Sequence, residues 1–376
     1  MSDQTFAADE LSFDEFTRPT YDEWYAAALD SIGGADFEKL LTTRTYEGLT
    51  LQPLYRREDL APIAHLLTLP GFTPFVRGVR ASGHVAQPWL IAQELPAPTP
   101  EAFNAALRHD LAQGQNAIKL ILDQPGRAGL DPDQAENPGQ GGLSLASLDD
   151  VAQAFAGIDL SALPLHAEAG ASFLPLLALL AAYYQQQGQS LADWRGSITA
   201  DPLGELVQNG TLPAPLEKLY DEMAQITAWA VQNAPQLATI GIACVPYHNG
   251  GANAVQELAF AIATGVEYLR EMLVRDLTIE LAAPRMIFSF AIGAQFFIEI
   301  AKLRAARLLW SRVIGAFGGS ESAQRMRLHT CTGRLNKTVY DPYVNILRTT
   351  LEAFAGVIGG SDSLHIAPFD ESANLP

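Results

Sequence analysis

Eight short apolar segments recur between residues 88 and 370, and longer segments of mixed polarity separate them. After each of the first seven, apolar residues return at every third or fourth position, which is the spacing of an amphipathic helix. Eight strands that alternate with helices in this way predict a (β/α)8 TIM barrel, an α/β fold. The predicted strands are 88–95, 117–124, 163–170, 196–202, 239–247, 285–293, 326–333 and 363–370.

A doubly wound open sheet is the alternative for the same alternation of strands and helices. It would place a glycine-rich phosphate loop after its first strand, whereas residues 94–103 read "ELPAPTPEAF". The barrel is therefore the preferred prediction. The printed sequence ends a few residues after the last strand, so the final barrel helix is missing. We expect either a longer natural chain or a cover supplied by another chain.

The helical segments show which faces should pack against the sheet. In 295–310 the apolar stripe leaves Glu299 and Lys302 on other faces. A further helix is predicted after Asp341, which stands in N-cap position before Pro342, and it ends at Gly359–Gly360. The predicted core stripes are Val255, Leu258, Ile262, Leu269 and Leu273 in 254–275, and Phe296, Ile300, Leu303, Ala306 and Trp310 in 295–310.

Several predicted strands are rich in Ala, Ser, Thr, His and Gly, whereas a filled barrel favours bulky branched side chains. This composition predicts room along the barrel axis; a normal core that tolerates small residues is the alternative. Residues 1–87 contain two short helical patterns around a glycine break and then an extended stretch. They have too little apolar content to fold alone, so we predict an N-terminal arm and linker for subunit contact and a barrel over 88–376.

The formal net charge of −18 argues against nucleic acid and anionic membranes as partners, although a few local arginines could still hold a phosphate-bearing ligand. No secretory signal and no apolar run of membrane-spanning length is present. Cys244 and Cys331 both fall in predicted strands, without a CxxC pair, and are expected to be reduced. These features predict a cytoplasmic protein.

Four histidines lie on predicted strands or at their ends: His166, His248, His329 and His365. His166 shares one strand face with Glu168, and acidic residues 370 and 371 follow the last strand. A metal-dependent hydrolase could be assembled from such groups. No HxH or HExxH pair fixes a ligand set, so we assign no metal site. The residues alone therefore predict a barrel protein with a polar axis.

Longer motifs resemble one enzyme family. The stretches "LPGFTPFVRGVRASGHVAQPWLIAQE", "FFIEIAKLRAARLLW" and "YVNILRTTLEAFAGVIGGSDSLH", with the pair Tyr247–His248, resemble adenosylcobalamin-dependent methylmalonyl-CoA mutases. The resemblance runs from about Thr20 to the last residue. It implies a barrel threaded along its axis by the pantetheine arm of a CoA ester, for the interconversion of methylmalonyl-CoA and succinyl-CoA. It also implies a separate cobalamin domain with a D-x-H-x-x-G motif, which this sequence does not contain.

The resemblance also implies roles for individual residues. Tyr247 and His248 match the catalytic pair, whose histidine hydrogen-bonds the thioester carbonyl, and Glu371 matches a cofactor contact. The implied substrate-binding residues are Arg77, Arg80, Ser82 and His329. Arg77 and Arg80 lie nearest the implied CoA entrance, where surface salt bridges are the alternative role for them.

Other positions depart from the family pattern. Ala92 and Glu94 stand where catalytic members have an arginine and a tyrosine, and Ala367 replaces an asparagine that contacts the adenosyl group. Thr199 and Cys331 replace glutamines, and Asn209 replaces the arginine that pairs with the substrate carboxylate.

These departures make the chain most similar to the small, non-catalytic subunit of heterodimeric members, with "TADPLGELVQNG" as the most telling stretch. We therefore expect a structural subunit that pairs with a larger catalytic chain, binds CoA esters weakly or not at all, and does not hold adenosylcobalamin alone. An active acyl-CoA mutase with altered substrate preference and a separate cobalamin domain is one alternative. The metal-dependent hydrolase is the other.

Overall fold

The computed structural model describes residues 15–372, and the chain divides into two compact units at Ala64/His65. The boundary that the sequence predicts between the N-terminal arm and the barrel, at residue 87, lies C-terminal to this division. The first unit contains the two predicted helices, α1 (Tyr21–Ser31) and α2 (Phe37–Leu40), and an antiparallel pair of short strands, β1 (Thr43–Arg44) and β2 (Thr50–Leu51). Thr20 and Glu23 form a capping box at the start of α1, in which no residue is buried.

The second unit contains eight parallel strands, and the predicted (β/α)8 fold is confirmed. Their order in the sheet is β3-β10-β9-β8-β7-β6-β5-β4, so that strands adjacent in sequence are adjacent in space. Seven of the predicted strands contain the observed one, and the predicted strand 239–247 overlaps β7, which begins earlier, at Leu237. The strands are β3 (Leu90–Ile91), β4 (Ile118–Ile121), β5 (Leu165–Glu168), β6 (Gly196–Ala200), β7 (Leu237–Ala243), β8 (Met286–Ile292), β9 (Arg327–Thr332) and β10 (Ser363–His365).

The two end strands of this order also meet. The carbonyl oxygen of Ile91 accepts hydrogen bonds from the backbone N–H groups of Asn116 and Ala117, at 3.3 and 3.2 Å. A parallel bridge then joins Glu94 to Lys119. The sheet therefore curls on itself, and the carboxyl ends of all eight strands surround one opening, here called the mouth.

Helices follow the strands along the chain. No helix follows β10 within the described residues. The helices are α3 (Pro100–Ala112), α4 (Gln124–Arg127), α5 (Leu148–Ala154), α6 (Phe173–Gln186), α7 (Pro202–Asn209), α8 (Leu216–Asn233), α9 (Val245–Asn249), α10 (Ala254–Val274), α11 (Ile279–Ala282), α12 (Phe296–Ala316) and α13 (Val344–Gly359), with 3-10 turns at Arg57–Leu60, Ala64–Leu67, Leu191–Asp193 and Ala283–Arg285.

Three sequence predictions need local correction. Strand β7 ends at Ala243, because the short helix α9 begins at Val245 with Pro246 in its first turn. Cys244 therefore lies outside the strand, and the Tyr247–His248 pair is helical. Helix α13 is capped at Tyr343 and not at Asp341. In α10, Val255 and Leu273 are 53% and 36% exposed, while Tyr268 and Met272 are buried instead.

The stripe predicted for α12 is correct, since Ile300, Leu303, Ala306 and Trp310 are buried and Phe296 is partly buried. Glu299 and Lys302, which the pattern left outside the stripe, are buried as well. They form part of an internal ion-pair network described below. None of the described helices is long and apolar enough to cross a membrane.

Candidate functional site

A cavity of about 490 Å³ opens at the mouth. Side chains from the ends of several strands and from the loops that follow them line it, which is where (β/α)8 proteins place their chemistry. Its charged and titratable lining residues are Glu94, Arg127, Glu168, His329, Cys331, Arg334, His365 and Glu371.

Below the mouth, the barrel axis is narrow. The axial cavity has a volume of about 40 Å³, which suits a few water molecules. Lys119, His166, Glu168 and His329 reach into it from three strands, together with Ser and Thr side chains. The interior is polar, as the sequence predicts, but the predicted room along the axis is occupied by these larger side chains.

Two buried histidines face this axis in the same way. His166 Nδ1 lies 2.9 Å from Ser197 Oγ, and His329 Nδ1 lies 2.8 Å from Ser363 Oγ. The Nε2 atom of each ring is buried without a hydrogen-bond partner. Burial lowers the pKa of His166 to about 3 and that of His329 well below its usual value, with the Lys119 charge adding to both shifts. Both rings are therefore neutral at pH 7.

The cations that line the mouth and axis are already paired. Lys119 donates to Glu168, and although burial alone would lower the pKa of Lys119, Glu168 and Glu94 raise it. Arg127, the last residue of the short helix α4 after β4, pairs with Glu205 of α7. Arg334 Nη2 lies 2.5 Å from Glu371 Oε1 at the rim. Each of the three cations is thus bound to a carboxylate of this chain.

Glu94 brings a further negative charge into the mouth. Its backbone N–H donates to His365 Nδ1 at 3.2 Å, so the ring carries its hydrogen on Nε2. Burial lowers the pKa of His365, against the opposing effect of Glu94. His365 is therefore neutral, and its Nε2 is 3.7 Å from Glu94 Oε2, which is too long for a hydrogen bond.

The predicted catalytic pair lies outside the mouth cavity. The His248 ring packs between Gly293 and Gly333, where an added Cβ would meet it at 3.0 and 2.6 Å. The Tyr247 ring stacks on Phe260, with centroids 4.8 Å apart. Neither side chain is among those that line the mouth or the axis.

A buried charge network holds His248 in this position. His248 Nδ1 is 3.3 Å from Glu257 Oε2, and Lys302 Nζ donates to the same carboxylate at 2.6 Å. Lys302 also lies 2.6 Å from Glu299 and donates to the Ala291 carbonyl at 2.7 Å. Burial alone would raise the pKa of Glu257, but Lys302 and His248 outweigh it and keep the carboxyl ionised.

The remaining predicted substrate residues lie near the opposite end of the barrel. Arg80 donates to Asp362, just before β10, at 3.1 Å, and to Gln87 at 2.6 Å. Arg77 and Ser82 are exposed in the same segment. The structure therefore separates these residues from Glu371 at the mouth, with His329 between them on the axis.

The positions that depart from the family pattern are engaged in internal contacts. Thr199 donates to the Ala167 carbonyl at 3.3 Å, and Asn209 donates to Glu205 at 2.8 Å. Cys331 lines the mouth, and burial raises the pKa of its thiol, which stays protonated. Ala92 is fully buried.

Sequence reasoning missed Lys119, Arg127, Glu205, Glu257 and Lys302. Lys119 did carry a signal, because a lysine within the apolar run "AIKLIL" must find a buried carboxylate. The other four residues give no such signal, because the partners are far apart in the sequence. Arg127 and Glu205 are 78 positions apart, and Lys302 and Glu257 are 45 apart.

The residues at the mouth do not fit the adenosyl group of the cofactor that the resemblance implies. Glu371 Oε2 is buried without a partner and could accept a hydrogen bond from a ligand hydroxyl. Ala367, at the second adenosyl position, has only a methyl group to offer. We derive no step through this cofactor. Within residues 15–372, no cluster of three or more His, Cys, Asp and Glu side chains could hold a metal ion.

Comparisons with known proteins agree with this fold. The family model described as methylmalonyl-CoA mutase matches residues 44–376. The methylmalonyl-CoA mutase of Rhizobium meliloti is 36% identical over 364 residues, which cover 96% of this chain and 51% of that protein. The Escherichia coli methylmalonyl-CoA mutase is 36% identical over 342 residues, 89% of this chain and 48% of that protein.

A chain named methylmalonyl-CoA mutase large subunit, from Streptomyces virginiae, is 34% identical over 359 residues, 94% of this chain and 49% of that one. This chain spans about half the length of the curated relatives that it matches. The matched range covers the whole second unit, which contains the barrel, and the last part of the first unit. The chain belongs to the methylmalonyl-CoA mutase family.

Proposed function

We propose that this chain is the structural, non-catalytic subunit of an adenosylcobalamin-dependent methylmalonyl-CoA mutase. It pairs with a larger catalytic chain, which carries the cobalamin domain and isomerises methylmalonyl-CoA to succinyl-CoA. Two relatives bear the printed name of large subunit, which supports an enzyme of unequal chains.

The main support for this proposal is that the cations at the mouth are already paired with carboxylates. A methylmalonyl group bears a carboxylate, and its tight binding calls for a free arginine or lysine. Lys119, Arg127 and Arg334 already pair with carboxylates of the chain, and Glu94 adds a further negative charge that acts on Lys119 together with Glu168. An acyl carboxylate placed there would be repelled.

The narrow axis supports the same proposal. A pantetheine arm needs a continuous channel, and the axial cavity of about 40 Å³ has no space for it. To open the channel, the Lys119–Glu168 pair would have to be displaced. Removal of Glu168 would leave the buried Lys119 charge unpaired, at a cost of several kcal/mol.

An active acyl-CoA mutase with a different substrate remains the second candidate function. One observation favours it: Glu371 lines the cavity of about 490 Å³ and keeps a buried oxygen without a hydrogen-bond partner. Such an enzyme would take an uncharged acyl group, because that group needs no cation.

Co-expression with the larger mutase chain of the same organism tests the proposal. We expect a one-to-one complex by light scattering, and adenosylcobalamin-dependent turnover by the complex but not by this chain alone. Turnover by this chain mixed with an isolated cobalamin domain would contradict the proposal and favour the second candidate.

A further inference from the structure

The outer face of helix α13 is apolar over its whole length. Leu347, Leu351, Phe354 and Ile358 are spaced by four, three and four residues, so they form one stripe. They are 69, 56, 54 and 39% exposed, and Phe297 at the start of the neighbouring helix α12 is 81% exposed. We call these five residues the α13 face.

The buried side of the same helix is polar. Asn345, Thr349 and Glu352 are buried against the barrel, where Asn345 Nδ2 donates to the carbonyl oxygens of Thr338 and Phe369 at 2.8 and 2.9 Å. Glu352 pairs with the buried Lys337 at 2.6 Å. These bonds fix the rotation of the helix, because a roll that buried the apolar stripe would leave them broken. The hydrogen bonds and the ion pair on the buried side therefore keep the apolar stripe on the surface.

The charge around the face is unusual for a chain with a net charge of −18. Helices α12 and α13 contain only two acidic residues, Glu299 and Glu352, and both are buried beside lysines. Arg304 and Arg348 are partly exposed on these helices. The α13 face is thus an apolar surface with a basic edge.

We propose that the α13 face is the docking surface for the larger mutase chain, which meets it with an apolar helical surface bordered by carboxylates. The inference rests on the proposed function. The exposed apolar area is on the order of 600 Å², the upper end of what monomers show and most of the roughly 800 Å² that each partner gives to a standard interface. A symmetric pair of identical chains would set basic edge against basic edge, which disfavours a second copy as the occupant.

The variant Leu351→Asp/Phe354→Asp tests this surface, with Gln225→Asp/Gln232→Asp on the polar outer side of α8 as the matched control. Both add two carboxylates at exposed helix positions. Binding of the larger chain of the same organism is measured by analytical ultracentrifugation, and folding is checked by thermal unfolding of each variant. We expect the α13 variant to bind roughly 30-fold more weakly or worse, while the control binds like wild type.

The other outcomes overturn the inference in separate ways. A one-to-one complex that both variants form equally well would remove the α13 face from the interface and leave the proposed function standing. No complex with the wild-type chain would remove the proposed function and the inference with it. Self-association of the wild-type chain, lost in the α13 variant, would assign the face to a second copy. Binding to phosphatidylcholine vesicles, lost in the same variant, would assign it to lipid.

Discussion

His248 Nδ1 lies 3.3 Å from Glu257 Oε2, and this contact holds the ring between Gly293 and Gly333, which directly follow β8 and β9. Glu257 is itself fixed by Lys302 and by the backbone N–H of Ala291, which donates to Oε1 at 3.0 Å. The family pair at positions 247 and 248 is thus present in sequence, with the Tyr247 ring stacked on Phe260 and the His248 ring packed against Gly293 and Gly333.

Replacement of Gly333 by alanine tests the packing of His248. The new Cβ would lie 2.6 Å from His248 Nε2, so the ring or the backbone has to move. We expect a loss of about 1–3 kcal/mol in the free energy of unfolding, measured with urea. The control is Gly315→Ala in α12, where the nearest atom would be 3.6 Å away and a gain of about 0.5–1 kcal/mol is expected. Equal effects of the two substitutions would contradict the position of the ring.

Replacement of Lys302 by methionine tests the buried network. It leaves Glu257 and Glu299 without their shared cation in a site where the lysine side chain is fully buried. We expect the free energy of unfolding to fall by about 3–5 kcal/mol. Lys218→Met is the control, since its partner Glu222 is 3.8 Å away and the lysine is 66% exposed; it should change stability by less than about 1 kcal/mol. A near-neutral Lys302→Met would show that the network is not as buried as described.

The neutral state of His166 predicts a pH dependence of stability. Its pKa is about 3 when folded and about 6.5 in an unfolded chain, so the unfolded state binds more protons between these values. Stability therefore falls as the pH drops below about 6.5, by about 1.4 kcal/mol per pH unit once the unfolded histidine is largely protonated. The His166→Gln variant should lack this contribution.

The difference between the two stability curves isolates His166. Burial raises the pKa of Asp201 to about 7, which gives a contribution of opposite sign that is common to both proteins. Parallel curves for wild type and His166→Gln between pH 7 and pH 5 would mean that His166 is not buried in the neutral form.

The fold could be predicted from the sequence because each strand is a short apolar run, and a helix pattern follows each of the first seven. Helices α13 and α10 show what the apolar pattern does not predict, namely which side chains are buried. A stripe such as Leu347, Leu351 and Phe354 looks like a core face, and only the tertiary partners of Asn345 and Glu352 reveal that the other side is buried. The spacing of apolar residues shows which side chains share one face of a helix. It does not show which face packs against the core when both faces have contacts in the fold.

The candidate site was less accessible to sequence reasoning. The resemblance implies substrate binding for His329 and a cofactor contact for Glu371, and both residues line the mouth cavity. The ion pairs that occupy the mouth join residues from distant segments, such as Arg127 with Glu205, and no local pattern encodes such a pair. The direction of the His248 ring likewise depends on Gly333 and Glu257, which lie outside its own segment.

The number of tight methylmalonyl-CoA sites in the complex with the larger chain is the most direct test of the central claim. Isothermal titration of the purified one-to-one complex counts them without a mutation in either chain. The proposed non-catalytic role predicts one site per pair of chains, on the larger chain. Two sites per pair, with the second lost on His329→Ala in this chain, would show that this barrel binds substrate and would contradict the account.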